Sequence, residues 1–220
     1  MLPRNDTRET IDHNALLNLS SASHLEVIER SARSHLVFSP TNQKQLDILG
    51  QILSAKGELF HAINFFKRSI MLTGESNAIS WLNLGNALLL IGNYAGAQKM
   101  FSSFLRLNPS SEKARVQLCI CLIKGRDWFA IKPTLLETLK IPSLSQKALV
   151  TIADALRREK AFKYSLRFYE KILERYQTVD PLVLQGIGIC YYRLGNIFSA
   201  EKYLLREIIL NPGNFKNYEV

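Results

Sequence analysis

Few residues in this chain of 220 carry side chains suited to chemistry, and their spacing argues against catalysis. Cys119, Cys121 and Cys190 could in principle form thiolates, hold a metal or exchange disulfides. Cys119 and Cys121 are two apart in a helical pattern, so they project in different directions and make no redox pair. With Cys190 they read as reduced core thiols. The histidines are His13, His24, His35 and His61. His24 and His35 would share a helix face, but a rise of about 16 Å separates them, too far for one metal ion. Gly186 and Gly188 form a GxG, yet no phosphate loop surrounds them, and G-x-S-x-G, HExxH and G-x-G-x-x-G are all missing from the sequence. The residues therefore predict a protein that is not an enzyme and uses no cofactor or metal.

Composition sets the next bound. A hydrophobic fraction of 47% with 21% charged residues is that of an ordinary soluble globular protein. No apolar run reaches the roughly 18 residues a membrane span requires, and the opening MLPRNDTRETIDHN lacks a signal-peptide core. The expectation is a cytoplasmic protein with no membrane span. The net charge of +9 is concentrated in residues 112–180, which hold 14 Lys and Arg against 8 Asp and Glu. Such an excess favours acidic partners. Because Glu159, Glu170 and Glu174 are interleaved with Arg167, Lys171 and Arg175, the charges read as a solvated helix face rather than a nucleic-acid patch.

The element that positions everything else is Ala78 to Ser111. There Trp81, Leu84, Gly85 and Leu88 lie at offsets 0, 3, 4 and 7, Ala97, Phe101 and Phe104 continue the spacing, and Pro109 closes the segment. Those offsets predict two short helices packed on each other. Gly85 leaves room for the second helix, with Ala97 the small residue placed to meet it. Gly92 and Asn93 form the turn, and Asn108 with Pro109 ends the second helix. Residues 43–76 repeat the pattern with Leu46, Leu49, Gly50, Leu53, Gly57, Ala62 and Phe66. Residues 181–214 repeat it with Leu184, Ile187, Gly188, Tyr191, Gly195, Ala200, Leu204 and Pro212. Two copies keep the apolar skeleton without the packing glycine. Residues 112–145 have Leu118, Cys119 and Leu122, then a turn at Gly125, Arg126 and Asp127 that reads one residue short. Residues 146–180 have Leu149, Ile152, Ala153, Leu156 and Tyr169.

This pattern resembles the tetratricopeptide repeat, a helix-turn-helix unit of about 34 residues marked by W-x2-L-G-x2-Y followed by A, F and P. The resemblance implies an all-α fold, a right-handed α-solenoid of stacked antiparallel helix pairs. Its expected organisation is a tail and capping helices over 1–42, either an eroded repeat or a simple N-terminal cap, five repeats over 43–214, and the start of an incomplete helix at 215–220, with Tyr218 at the Trp81 position. An end without a polar cap is open to three outcomes: docking onto a partner, self-association, or continuation into a longer protein.

In this family the first helices line a concave groove, which implies a non-catalytic scaffold that binds a segment of a partner protein. The residues of this chain at the groove positions include Gln51, Leu82, Asn83, Asn86, Lys113, Gln117, Lys147, Arg157, Gln185 and Tyr192, with Asp47, Ile123 and Gly186 at the same register. Amides can bond a peptide backbone in either direction, and the cations favour acidic peptides. The family's clamp for chaperone tails would need cations and amides where this chain has Asp47, Gln51, Asn83, Lys113 and Gln117, and only Asn83 and Lys113 match. Two alternatives are the recognition arm of a larger sulfo-, glycosyl- or methyltransferase, and an RNA-binding helical repeat. The latter is disfavoured because the Trp, Gly, Ala and Pro positions match the tetratricopeptide pattern instead.

Overall fold

Polar residues placed just before apolar runs set where the helices begin. The side chains of Asn42, Asn93, Ser111, Asp127, Ser145, Asp180 and Asn196 each accept a hydrogen bond from a backbone N–H in the first turn that follows, supplying an acceptor that the helix itself cannot. The computed structural model describes residues 22–74 and 78–213, and among them there are eleven helices and no strand. The expected helix around Ile11, Ala15, Leu16 and Leu19, and that of Tyr218, lie outside the described residues.

The chain divides after Asn83 into two compact units. In the first, α1 (Ala22–Phe38) packs on α2 (Gln43–Ala55), and α2 pairs with α3 (Leu59–Thr73). Glu29 on α1 holds Lys56 at 2.5 Å and Arg33 at 2.8 Å, fastening this helix over the first repeat. Helix α4 (Ala78–Leu90) begins in the first unit and ends in the second. The second unit continues with α5 (Tyr94–Leu107), α6 (Glu112–Gly125), α7 (Trp128–Lys140), α8 (Gln146–Arg158), α9 (Phe162–Arg175), α10 (Pro181–Arg193) and α11 (Ile197–Leu210). Here α8 pairs with α9 and α10 with α11, while the first helices α6, α8 and α10 contact one another in sequence order.

Packing at the helix crossings explains the glycines, with one change from expectation. A Cβ on Gly50 would lie 2.4 Å from the ring of Phe66, one on Gly85 2.7 Å from Phe101, and one on Gly188 2.6 Å from Leu204. The glycine therefore admits the large residue two turns into the second helix, whereas the smaller Ala97 is buried beside that contact. A ring needs that space more than a methyl group does.

The turn between paired helices also differs from expectation in one repeat. The fifteenth residue of each repeat has a left-handed backbone: Gly57 (φ 82°), Gly92 (φ 78°), Arg126 (φ 54°), Lys160 (φ 60°) and Gly195 (φ 83°). The turn at Gly125, Arg126 and Asp127 is thus not short, because α7 starts at the same register as the other second helices. The glycine there stands one place early and ends α6, and Arg126 takes the conformation that glycine adopts elsewhere.

Hydrogen bonds reach across about one repeat length. Ser80 Oγ donates to Asp47 Oδ1 at 2.6 Å in the first unit. In the second, Ser145 donates from its backbone N–H and Oγ to Glu112 at 2.7 and 2.8 Å. Arg175 donates to the carbonyls of Ile141 and Leu139 at 2.9 and 3.0 Å, satisfying the C-terminal end of α7.

Candidate functional site

The residues expected on the groove fall into three groups. In the first unit, Gln51 on α2 and Leu82 and Asn83 on α4 are half-buried. Asp47, at the same register, is buried at 9% exposure, accepting from Ser80. It belongs to the interior because Ser80 and Ser69, their oxygens 3.0 Å apart, give its carboxylate a polar neighbourhood.

In the second unit, α4 supplies the half-buried Asn86, and α6 supplies the exposed Lys113 and half-buried Gln117. Asn86 Oδ1 is buried and makes no hydrogen bond among the described residues. A buried acceptor left without a partner is costly, so its position on a first helix is informative. Lys147 on α8 is exposed beside Val150 and Thr151, and these face Thr178, Val179 and Asp180 across a hollow of about 620 Å³.

The third group converges. Arg157 from α8 and Gln185, Ile189 and Tyr192 from α10 line a largely apolar hollow of about 720 Å³, whose far wall is Leu204 and Ile208 of α11. Tyr192 is half exposed and Arg157 half-buried. Arg157 is held by Asp154 at 3.2 Å, and Asp154 also accepts from Tyr169 at 2.6 Å. Burial, and then the Asp154 carboxylate, push the Tyr169 hydroxyl well above its usual range, so it stays a donor. The Nε of Arg157 is buried without a partner among the described residues.

Besides Asp47, two residues expected on the groove lie inside instead, both in the second unit. Ile123 is fully buried in α6. Gly186 is covered by Tyr169, whose hydroxyl lies 2.4 Å from where a Cβ would be; the register leaves no outward surface at that point. The spacing did not reveal the hollow itself, because half its wall comes from α11, a second helix.

The thiols are interior groups. Cys119 Sγ lies 3.6 Å from Thr138 Oγ1, and Cys121 Sγ donates to the Tyr94 carbonyl at 2.8 Å. Burial pushes both thiols up to about 11, which keeps them protonated and unreactive at neutral pH. Among the described residues no three His, Cys, Asp or Glu side chains gather as metal ligands, and no helix is long and apolar enough to cross a membrane.

Stacked antiparallel helix pairs with a glycine at the crossing and a left-handed residue at the turn define an all-α helical-repeat protein of the solenoid class. The family model of the tetratricopeptide repeat matches residues 80–111, and the chain has the tetratricopeptide-repeat fold. Solved structures agree on that fold. PilW, described as a widely conserved type IV pilus biogenesis factor, aligns at TM-score 0.67 with 17% identity, over 94% of this chain and 93% of its own. YrrB, described as a TPR protein with an unusual peptide-binding site, aligns at 0.61 with 18% identity over 84% and 94%. MamA from Desulfovibrio magneticus RS-1 aligns at 0.62 with 16% identity over 78% and 96%. No curated protein sequence is significantly similar to this chain.

Proposed function

We propose that this chain is a non-catalytic scaffold that holds an extended segment of a partner protein against its first helices. The observation that carries the reading is the set of side chains not used in packing on α6, α8 and α10. Arg157, Gln185 and Tyr192 converge on one apolar hollow of about 720 Å³, and a partnerless Arg157 Nε lies buried beside it. Such a recess accepts an apolar side chain, the Gln185 amide bonds the peptide backbone, and Arg157 with Arg193 favours a carboxylate at its rim. The tetratricopeptide-repeat fold is in keeping with this, since YrrB carries a peptide-binding site on the same architecture.

Selection of peptides from a displayed random library on the full chain is the test. Enriched peptides are expected to carry an aliphatic or aromatic residue next to Asp or Glu. Gln185→Ala with Tyr192→Ala is expected to weaken them at least about tenfold, the loss of more than 1.4 kcal/mol, with the melting temperature unchanged because Gln185 and Tyr192 are not core residues. Peptides that bind the double variant as tightly as the parent would remove the assignment.

A further inference from the structure

The turns joining first to second helices in the last three repeats read KGRDWF at 124–129, REKAFK at 158–163 and RLGNIF at 193–198. Six cations stand there against two carboxylates, Asp127 and Glu159. All six cations are exposed, and both carboxylates are engaged: Asp127 caps α7, and Glu159 holds Arg126 at 3.2 Å. Phe129 is 95% exposed and Phe198 81%, at the same register two repeats apart. The three turns form one edge. Trp128 stacks on Tyr164 with centroids 6.4 Å apart, Arg126 reaches Glu159, and Arg193 and Ile197 share a hollow with Arg157.

We propose that this edge docks on an anionic lipid bilayer; it meets the first-helix surface described above only at Arg193 and Ile197. Phe129 and Phe198 project outward and line none of the hollows described, with the exposed Leu194 four residues before the latter, which suits insertion among lipid chains. The cations around them match anionic headgroups. Between the first two turns, Arg126, Arg158 and Lys160 surround a hollow of about 360 Å³ with Glu159 as its one carboxylate, a seat for a lipid phosphate. Nucleic acid fits less well. Trp128 is already stacked on Tyr164. Phe129 and Phe198 could each stack on a base but stand two repeats apart, and the other exposed apolar groups of the edge, Leu194 and Ile197, are aliphatic and give a base no stacking face. Arg126 and Lys160 hold left-handed backbone positions that are glycine in the other three repeats. Charge is kept there against backbone preference, which points to use of that charge.

The test is flotation of the full chain with vesicles of phosphatidylcholine, with and without phosphatidylserine. Binding is expected only with phosphatidylserine, and it should weaken as salt is raised. Phe129→Ala with Phe198→Ala should lower partitioning about tenfold with unchanged circular dichroism. Arg126→Gly with Lys160→Gly should also lower it while raising the melting temperature, a combination that a folding defect cannot produce. Gln185→Ala with Tyr192→Ala should leave vesicle binding intact, which separates this edge from the peptide surface. Failure to float with phosphatidylserine, binding indifferent to the phenylalanine pair, or capture of single-stranded nucleic acid in place of vesicles would each overturn the proposal.

Discussion

A missing side chain at Gly85 is a packing device, and its cost can be read from Phe101. A Cβ there would stand 2.7 Å from the ring, closer than packed carbons sit, and Phe101 is fully buried with no room to retreat. Gly85→Ala is expected to destabilise by about 1–3 kcal/mol, measured by urea unfolding of the full chain. The buried thiols give a second residue-scale expectation. Their pKa rises from an ordinary value of 9.0 to about 11 for Cys119 and Cys121. The unfolded chain loses these protons first, so their stabilising effect is complete below pH 9.0 and is lost as the pH rises to about 11. A melting temperature flat through neutral pH and falling over that alkaline range is expected, with a smaller fall in Cys119→Ala. The glycines and cysteines were legible as packing positions because helical spacing fixes which face a residue occupies. The burial of Asp47 was not, since it depends on Ser80 from the next repeat, and spacing along one helix says nothing of its neighbour's polar groups.

At the level of the hairpin, the turn geometry is constant while the residue adopting it changes. Gly57, Gly92 and Gly195 take the left-handed conformation freely, whereas Arg126 and Lys160 adopt it against the contact between Cβ and backbone. Arg126→Gly and Lys160→Gly are each expected to stabilise by about 1 kcal/mol, less a few tenths for the added freedom of the unfolded chain, as a rise in the urea midpoint at unchanged slope. Asn, Ser and Asp side chains cap seven of the helices, a local signal in the sequence that the repeat spacing did not use, while Glu58 and Ala161 precede helices with no side-chain cap. Repeats without glycine were harder to place. The sequence there shows Gly125 where the eye expects the turn glycine, and only the backbone angle at Arg126 reveals that the register never shifted. The hollow beside Tyr192 was missed for a related reason: α10 alone reads as a strip of side chains, and a recess exists only once α11 supplies the opposite wall.

For the molecule as a whole, stability should be distributed rather than pooled, because a repeat contacts chiefly its neighbours. Local spacing reports which face of each helix is apolar but not which helices share that face, so the boundary between compact units, inside α4 and inside the most regular repeat, left no mark on the pattern. Within residues 84–213 the contacts run from each helix to the next pair, and the longer hydrogen bonds span about one repeat, as from Glu112 to Ser145 and from Arg175 to Ile141. A core defect should therefore be felt according to where it falls. Ile187 on α10 and Leu149 on α8 are both fully buried, and truncation of either to alanine costs about 2–5 kcal/mol. Native-state hydrogen exchange on Ile187→Ala is expected to lower protection in α10 and α11 while α6 to α9 keep most of theirs. Leu149→Ala, with repeats packed on both sides, should lower protection from α6 through α11. Equal loss across all these helices in both variants would mean that the unit unfolds as one cooperative core, and the nearest-neighbour account of its stability would fail.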